Sequence, residues 1–125
     1  MSILSLILFA CLGLGACGGK GEPIAPTPTS SPELTAGKQV FVAHCGACHS
    51  TSPDTVIVGP PLAGIAQRGG GRVDGLDART YVYTSIMRPG DYLVEGFGDL
   101  MPADLAKKLT GEELDSVVAY VLSLK

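Results

Sequence analysis

Cys45-Gly46-Ala47-Cys48-His49 is the stretch that decides the fold of this chain of 125 residues. Two thiols three residues apart lie on one side of a helical turn, so both can reach the same planar ligand. In a porphyrin that bears two vinyl groups, each thiol can form a thioether, and the adjacent imidazole can then reach the iron. The pentapeptide therefore predicts covalent attachment of one haem c.

Three other uses of the same cysteines compete with this interpretation. A zinc site needs four converging ligands, and the candidates within residues 44–49 are too crowded to close a tetrahedron. A thioredoxin-like redox pair follows a strand, whereas here an amphipathic helical pattern leads into the motif. A structural disulfide is possible in an exported protein, but the short loop that it would close adds little stability. The spacing favours haem attachment.

The composition is that of a small domain that needs something besides side chains in its core. Apolar residues make up 46% of the chain, charged residues 17%, and the net charge is -3. Because this balance provides no basic surface, we expect no nucleic-acid partner. Trp is absent, and the aromatic residues are three Phe and four Tyr. Side chains alone would form a thin core, and a macrocycle would complete it.

The N-terminus has the pattern of an export signal. Residues 3–16 are apolar or small and carry no charge, and they are shorter than the roughly 20 residues of a membrane-spanning helix. They end in Leu14-Gly15-Ala16 directly before Cys17, which resembles the lipobox of bacterial lipoproteins. That resemblance implies removal of residues 1–16, lipidation of Cys17 and a domain outside the cytoplasm. An uncleaved N-terminal anchor is the alternative, and it places the domain on the same side.

Residues 17–33 are predicted to be a flexible tether between this lipid anchor and the domain. Gly, Pro, Ser and Thr dominate the segment, which therefore buries too little apolar surface to fold. A featureless spacer with no functional role is equally consistent with this composition. The globular domain is expected over residues 34–125.

Three main helices are predicted in the domain, and no strand pattern is found. The first covers about residues 35–46, and the second covers about residues 78–88, with Asp77 as its N-cap. The third follows Thr110 and Glu113, which form a capping box before apolar residues at i, i+3, i+4, i+7 and i+8. The long segments between these helices are rich in Gly, Pro and Asp, and such loops commonly wrap a ligand or carry function.

The domain resembles a class I monohaem cytochrome c, because five features occur in that family's order. These features are Gly37 and Phe41 with Tyr120 as a helix crossing, the haem motif, Gly59-Pro60-Pro61-Leu62-Ala63-Gly64 with Arg68 beyond it, residues 81–95, and Met101-Pro102 before the last helix. The resemblance implies an all-α fold in which the helices and long loops surround one covalently bound haem and its iron.

The resemblance also implies roles for individual residues. Cys45 and Cys48 would form the thioethers, and His49 would be the proximal ligand of the haem iron. The carbonyl of Pro60 would accept a hydrogen bond from the other imidazole nitrogen, as groups behind a metal ligand commonly do.

Arg68 matches the position of an arginine that contacts a haem propionate in the family. Two alternatives stay open at this position. Arg68 can be a solvated loop charge, and Arg72 can take its place at the propionate.

Met101 is the predicted second axial ligand of the iron. It lies in an irregular loop and precedes a proline, which restricts its backbone. Because it comes 52 residues after His49, its loop can fold over the opposite haem face. Met87 is at the end of a predicted helix, where a methionine usually packs, and His44 is too close to the first cysteine to reach across the ring. Ligation by His and Met leaves no open site and raises the reduction potential.

Together these features predict a single-electron carrier and not an enzyme. The resemblance implies a monomeric domain that receives electrons from a quinol-oxidising complex and passes them to a terminal oxidase or a photosynthetic reaction centre. One alternative is a haem-based gas-binding or sensor module, in which the methionine is absent or easily displaced. The other is a haem-bearing subunit of a haem–copper oxidase or a periplasmic dehydrogenase.

Overall fold

The domain is all-α, as a computed structural model of the chain shows for residues 31–125. Four α-helices follow one another, and no strand occurs in this part of the chain: α1 (Pro32–His44), α2 (Ile65–Arg68), α3 (Ala78–Met87) and α4 (Gly111–Ser123). Short 3-10 turns lie at Gly69–Gly71, Pro89–Asp91 and Leu105–Lys108. The three predicted helices are confirmed, and α2 is a single additional turn.

Helix α1 begins three residues before the predicted start because Ser31 caps it. The Ser31 side chain accepts a hydrogen bond from the backbone N–H of Leu34 at 3.2 Å. Pro32 occupies the first helical position, where its missing N–H is not needed. Pro32 and Glu33, which were assigned to the tether, thus belong to the first helix.

The predicted signal segment 1–16, the lipidated Cys17 and the tether up to residue 30 lie outside the described residues. Between residues 31 and 125, none of the helices is both long and apolar enough to cross a bilayer. The lipid anchor therefore stays a prediction from the sequence.

The other two predicted caps are present. At the start of α3, the Asp77 carboxylate accepts a hydrogen bond from the Thr80 N–H at 2.7 Å. At the start of α4, the Thr110 hydroxyl accepts from the Glu113 N–H at 3.2 Å, and the Glu113 carboxylate accepts from the Thr110 N–H at 2.8 Å. This reciprocal pair satisfies two of the backbone donors that a helix leaves open at its first turn.

Helices α1 and α4 cross at Gly37, as the resemblance implied. A Cβ atom on Gly37 would lie 2.0 Å from the carbonyl oxygen of Ser116 and 2.7 Å from the Cβ of Tyr120. One turn further along α1, the rings of Phe41 and Tyr120 pack with their centroids 5.5 Å apart. The two helix backbones can approach this closely only because residue 37 has no side chain.

The apolar core lies between α1, α3 and α4 and continues into a cleft. Val117 and Val118 on α4 are fully buried. The inner wall of the cleft consists of core residues from several elements, namely Cys45, Ile65, Tyr81, Val82, Ile86, Leu105, Val117 and Val121. The same residues therefore form the core of the domain and the inner wall of the cleft.

Candidate haem-binding site

One cleft brings the cysteine motif together with the loop that precedes α4. Cys45, Cys48 and His49 line it from one segment of the chain, and Met101 lines it from the other. Its empty volume is about 1240 Å³, counting the part that opens to solvent. The remaining walls are largely apolar, and the apolar residues contributed by loops include Val58, Pro61, Leu62, Leu93, Val94, Phe97 and Leu100.

The cysteine motif continues the backbone of α1. The Cys45 N–H donates to the carbonyl of Phe41 at 2.8 Å, and the His49 N–H donates to the carbonyl of Cys45 at 2.9 Å. These turns place both thiols and the imidazole on the wall of the cleft. Within the described residues, Cys45 and Cys48 are not joined in a disulfide.

As a thiol, before anything is bonded to its sulfur, Cys45 is buried and stays protonated at neutral pH. Its side chain belongs to the core, with 8% of the residue exposed. Burial, and after it the neighbouring Cys48 sulfur, raises the pKa of the Cys45 thiol from 9.0 to about 11. The protonated thiol therefore brings no charge into the apolar cleft.

The imidazole of His49 is oriented by the loop that follows the motif. Its Nδ1 lies 2.8 Å from the carbonyl oxygen of Pro60. Because a carbonyl oxygen can only accept, Nδ1 is the nitrogen that carries the hydrogen, and Nε2 keeps its lone pair. Nε2 is thus the nitrogen available to a metal.

Backbone hydrogen bonds hold this loop against the motif. The Gly59 N–H donates to the carbonyl of Cys48 at 2.9 Å, and the Leu62 N–H donates to the carbonyl of Ser50 at 2.9 Å. The loop returns so close that a Cβ on Gly59 would lie 2.5 Å from Cε1 of His49 and 2.9 Å from its Nδ1. The imidazole therefore lies directly against the Gly59 backbone, a role that the sequence analysis did not assign to this glycine.

Met101 and Met87 differ in their environment. Met101 is half-buried and lines the cleft, whereas Met87 is 42% exposed at the end of α3 and is not part of the wall. His44 is exposed at the last position of α1, on the same side of the cleft as the cysteines. Met101 is thus the methionine that shares the cleft with His49.

The family model for cytochrome c matches residues 34–125. The chain belongs to the cytochrome c family. This cytochrome c carries haem c with its iron, covalently bound at the motif that contains Cys45 and Cys48. Membership in the family indicates a haem-based electron carrier of the kind that is generally not enzymatic and typically extracytoplasmic. None of the curated proteins matches the chain.

The residues of this cytochrome c fit a haem in their chemistry. The cleft has mainly apolar walls and two thiols at one side. The imidazole of His49 bonds to Pro60 through Nδ1, and its Nε2 is left available to a metal. In residues 31–125, no three His, Cys, Asp or Glu side chains converge as a zinc site would require.

Arg68 and Arg72 take different places in this cytochrome c. The guanidinium of Arg68 donates to the carbonyl oxygens of Pro61 and Ala63, and Arg68 is not among the residues of the cleft wall. Arg72 does line the cleft. The arginine on the wall is therefore the alternative that the sequence left open, and Arg68 holds the loop that carries Pro60.

Replacing Gly59 with alanine is expected to displace the His49 ring and to lower the free energy of unfolding by about 1–3 kcal/mol. The added methyl would overlap the imidazole, whose hydrogen bond to Pro60 would then be lost. Denaturant unfolding and the visible spectrum of the holoprotein measure both effects. Gly71→Ala is the matched control, because a Cβ there meets nothing within 4 Å. Equal stability and equal spectra for the two variants would contradict the assigned role of Gly59.

Proposed function

We propose that this protein is a class I monohaem cytochrome c that carries single electrons, with its iron held between His49 and Met101. The observation that supports this ligation is that both side chains line the same cleft. Because Nδ1 of His49 is engaged by Pro60, Nε2 would be the ligating atom. Haem c supplies reversible one-electron transfer at its iron when bound.

The surrounding residues keep the site the same in both oxidation states. The apolar walls exclude water, and the Pro60 carbonyl fixes both the plane and the tautomer of the imidazole. The Met101 thioether would be a soft ligand to the iron, and such a ligand raises the reduction potential. If His49 and Met101 both bind the iron, the site would have no place for a substrate.

We further propose that the domain is tethered by a lipid on Cys17 to the extracytoplasmic face of a membrane. The support is the lipobox pattern before Cys17 and the Gly- and Pro-rich composition of the residues that follow it. A tethered domain would move between neighbouring membrane complexes, from a quinol-oxidising donor to a terminal oxidase or a photosynthetic reaction centre.

Visible absorption spectra of the full-length holoprotein test the proposed function, recorded oxidised, reduced, and reduced with carbon monoxide. We expect a sharp low-spin ferrous spectrum that the gas does not change. A high-spin spectrum that shifts with the gas would contradict ligation by Met101 and favour a gas-binding module. Constant co-purification with a catalytic chain would favour a fixed subunit over a mobile carrier. Absence of covalent haem would overturn the proposal altogether.

A further inference from the structure

Two loops that border the cleft expose large apolar side chains to solvent. These rim loops are residues 51–58, which follow the cysteine motif, and residues 90–101, which precede the last 3-10 turn. Val56 and Ile57 in the first loop are 61% and 51% exposed, and Leu100 in the second is 70% exposed. Exposed apolar side chains that are gathered on one surface commonly mark a place where another molecule binds.

These side chains lie at the mouth of the cleft. Leu93 and Leu100 line its wall, and so does Val58, which directly follows Val56 and Ile57 in the chain. Val56 and Ile57 themselves are outside the wall, so a group that fills the cleft does not cover them. We call Val56, Ile57, Leu93 and Leu100 the rim patch.

Contacts at their bases hold both rim loops in place. The Ser52 N–H donates to the Ser50 hydroxyl at 2.9 Å, and the Val58 N–H donates to the carbonyl of Cys48 at 3.2 Å. The second loop closes on its own start, since a Cβ on Gly90 would lie 3.4 Å from Oδ2 of Asp99. Because the backbone that presents the patch is already held, less conformational entropy is lost when a partner binds.

The charge around the rim patch is negative. The rim loops contain four carboxylates and no lysine or arginine. Asp91 pairs with Arg88 at 2.8 Å. The other three are exposed and have no ion-pair partner within residues 31–125, namely Asp54, Glu95 and Asp99. Each of these three lies within two residues of a side chain of the rim patch.

Basic side chains near the rim loops offset this charge only in part. Arg72 lines the cleft, but it is half-buried and packs on the Tyr81 ring, with its guanidinium carbon 5.6 Å from the ring centre. Beyond the second loop, Lys108 is paired with Asp104 at 3.2 Å, while Lys107 is exposed and has no ion-pair partner within residues 31–125. Three unpaired carboxylates against one such lysine leave a negative surface.

We propose that the rim patch binds an electron-transfer partner protein whose docking surface has an apolar centre bordered by lysine and arginine side chains. Apolar contact supplies affinity, and opposite charges steer the approach and fix its orientation. A second copy of this chain would bring the same unpaired carboxylates together, and an anionic membrane would be repelled by them. Charge therefore selects the basic protein. Such docking presupposes the proposed electron-carrier function, to which it adds the chemistry of the partner.

Two small oxidants of opposite charge probe the rim in the reduced full-length holoprotein. Tris(phenanthroline)cobalt(III) is an apolar cation, and ferricyanide is an anion. Each takes one electron from the ferrous haem iron, which becomes ferric as the oxidant is reduced to cobalt(II) or ferrocyanide. Stopped-flow absorbance measures both second-order rate constants, and the readout is the cation rate divided by the anion rate. A change in the haem potential alters both rates in the same direction and largely cancels in this ratio.

The charge of the rim is tested by combining Asp54→Asn, Glu95→Gln and Asp99→Asn. We expect the rate ratio to fall about tenfold at about 10 mM salt and to change little at about 500 mM, where exposed charges are screened. The matched control combines Glu33→Gln, Glu112→Gln and Asp115→Asn, three exposed carboxylates that do not line the cleft. An equal fall in this control would assign the effect to net charge and overturn the proposal.

The apolar part is tested by combining Val56→Ser and Ile57→Ser. We expect oxidation by the cobalt complex to slow about twofold to threefold even at about 500 mM salt, because apolar contact area is lost, with the ferricyanide rate unchanged. Val42→Ser is the matched control, since Val42 is 69% exposed on α1 and does not line the cleft. Equal rates in the wild type and the double serine variant would contradict binding through the rim patch.

Polymers extend the test to macromolecules. Polylysine is expected to slow oxidation of the wild type by the cobalt complex and to act more weakly on the variant without the three rim carboxylates, while polyglutamate has no effect. Shielding by anionic lipid vesicles that the double serine variant relieves would identify a membrane as the occupant. Wild-type dimers that dissociate in that variant would identify a second copy. Either result would overturn the proposal.

Failure of the docking proposal is distinguishable from failure of the proposed function. A wild type without covalent haem, shown by a haem stain after denaturing electrophoresis, would overturn the proposed function. A haem-bearing wild type whose rate ratio responds neither to salt nor to the rim substitutions would overturn the docking proposal alone.

Discussion

Replacing Gly37 with alanine is expected to separate α1 from α4 and to lower the free energy of unfolding by about 3 kcal/mol or more. The new Cβ would lie 2.0 Å from the carbonyl oxygen of Ser116 and 2.6 Å from its carbonyl carbon. Both are backbone atoms inside a helix, so no side-chain rotation relieves the overlap. Since small domains are stable by about 5–15 kcal/mol, this single methyl removes a large part of the total.

The effect extends from the helix crossing to the haem site. Helix α1 leads into the cysteine motif, and α4 contributes Val117 and Val121 to the cleft wall. Separation of the two helices therefore moves the motif relative to the wall behind it. We expect the variant to lose low-spin character in its visible spectrum at temperatures where the wild type keeps it.

Denaturant unfolding of the wild-type and Gly37→Ala holoproteins measures the loss of stability, with Gly111→Ala as the control. Gly111 is the first residue of α4, and a Cβ there meets nothing within 4 Å. Alanine is also the better helix former, so this control is expected to be neutral or slightly stabilising. If both variants unfold at the wild-type midpoint, the close approach of the helices at Gly37 does not contribute to stability as described.

Replacing Met101 with alanine is expected to open the sixth coordination position of the iron. The wild-type holoprotein should bind no carbon monoxide when reduced, and the variant should bind it in nearly stoichiometric amount. The reduction potential should fall, because the soft thioether that favours the reduced form is gone. Truncation of a fully buried methionine costs about 2–5 kcal/mol of packing. Because Met101 is only half-buried at the cleft, we expect a smaller loss of stability here.

Met87→Ala is the matched control for this prediction. It removes the same kind of side chain from a position that is 42% exposed and outside the cleft wall. We expect Met87→Ala to have the visible spectrum and the reduction potential of the wild type, and to bind no carbon monoxide. If Met87→Ala binds carbon monoxide and Met101→Ala behaves like the wild type, Met87 and not Met101 is the iron ligand. Binding by the wild type itself would remove methionine ligation and support a gas-binding function.

Features that depend on short sequence spacing were predictable. The cysteine motif, the Asp77 cap and the capping box of Thr110 and Glu113 each involve residues at most four apart. Because a helical turn brings such neighbours together whatever the rest of the chain does, their chemistry can be read from the order of residues. The same reasoning explains why the apolar stripe of α4 was identified.

Element boundaries were less predictable where local signals conflicted. The Pro- and Ser-rich composition before residue 34 indicated a tether, yet Ser31 and Pro32 are also the residues that begin a helix well. Helix α2 has four residues, which is too short to produce a periodic pattern. It follows Gly64, whose left-handed backbone starts the turn.

The roles of Gly59, Arg68 and Arg72 depend on contacts that no spacing rule contains. Whether Arg68 or Arg72 lines the cleft depends on where the Gly69–Gly71 turn meets α3 and on which carbonyls are free to accept. Gly59 matters because the loop folds back over the imidazole, a contact created by hydrogen bonds to Cys48.

By itself, the sequence determined the haem chemistry of this protein and its helical class, because those reside in residues that lie within one helical turn of each other. The tertiary structure decided which methionine and which arginine share a cleft with His49. Those side chains come from loops separated along the chain, and their meeting depends on helix crossings such as that at Gly37 and on the packing of the whole core.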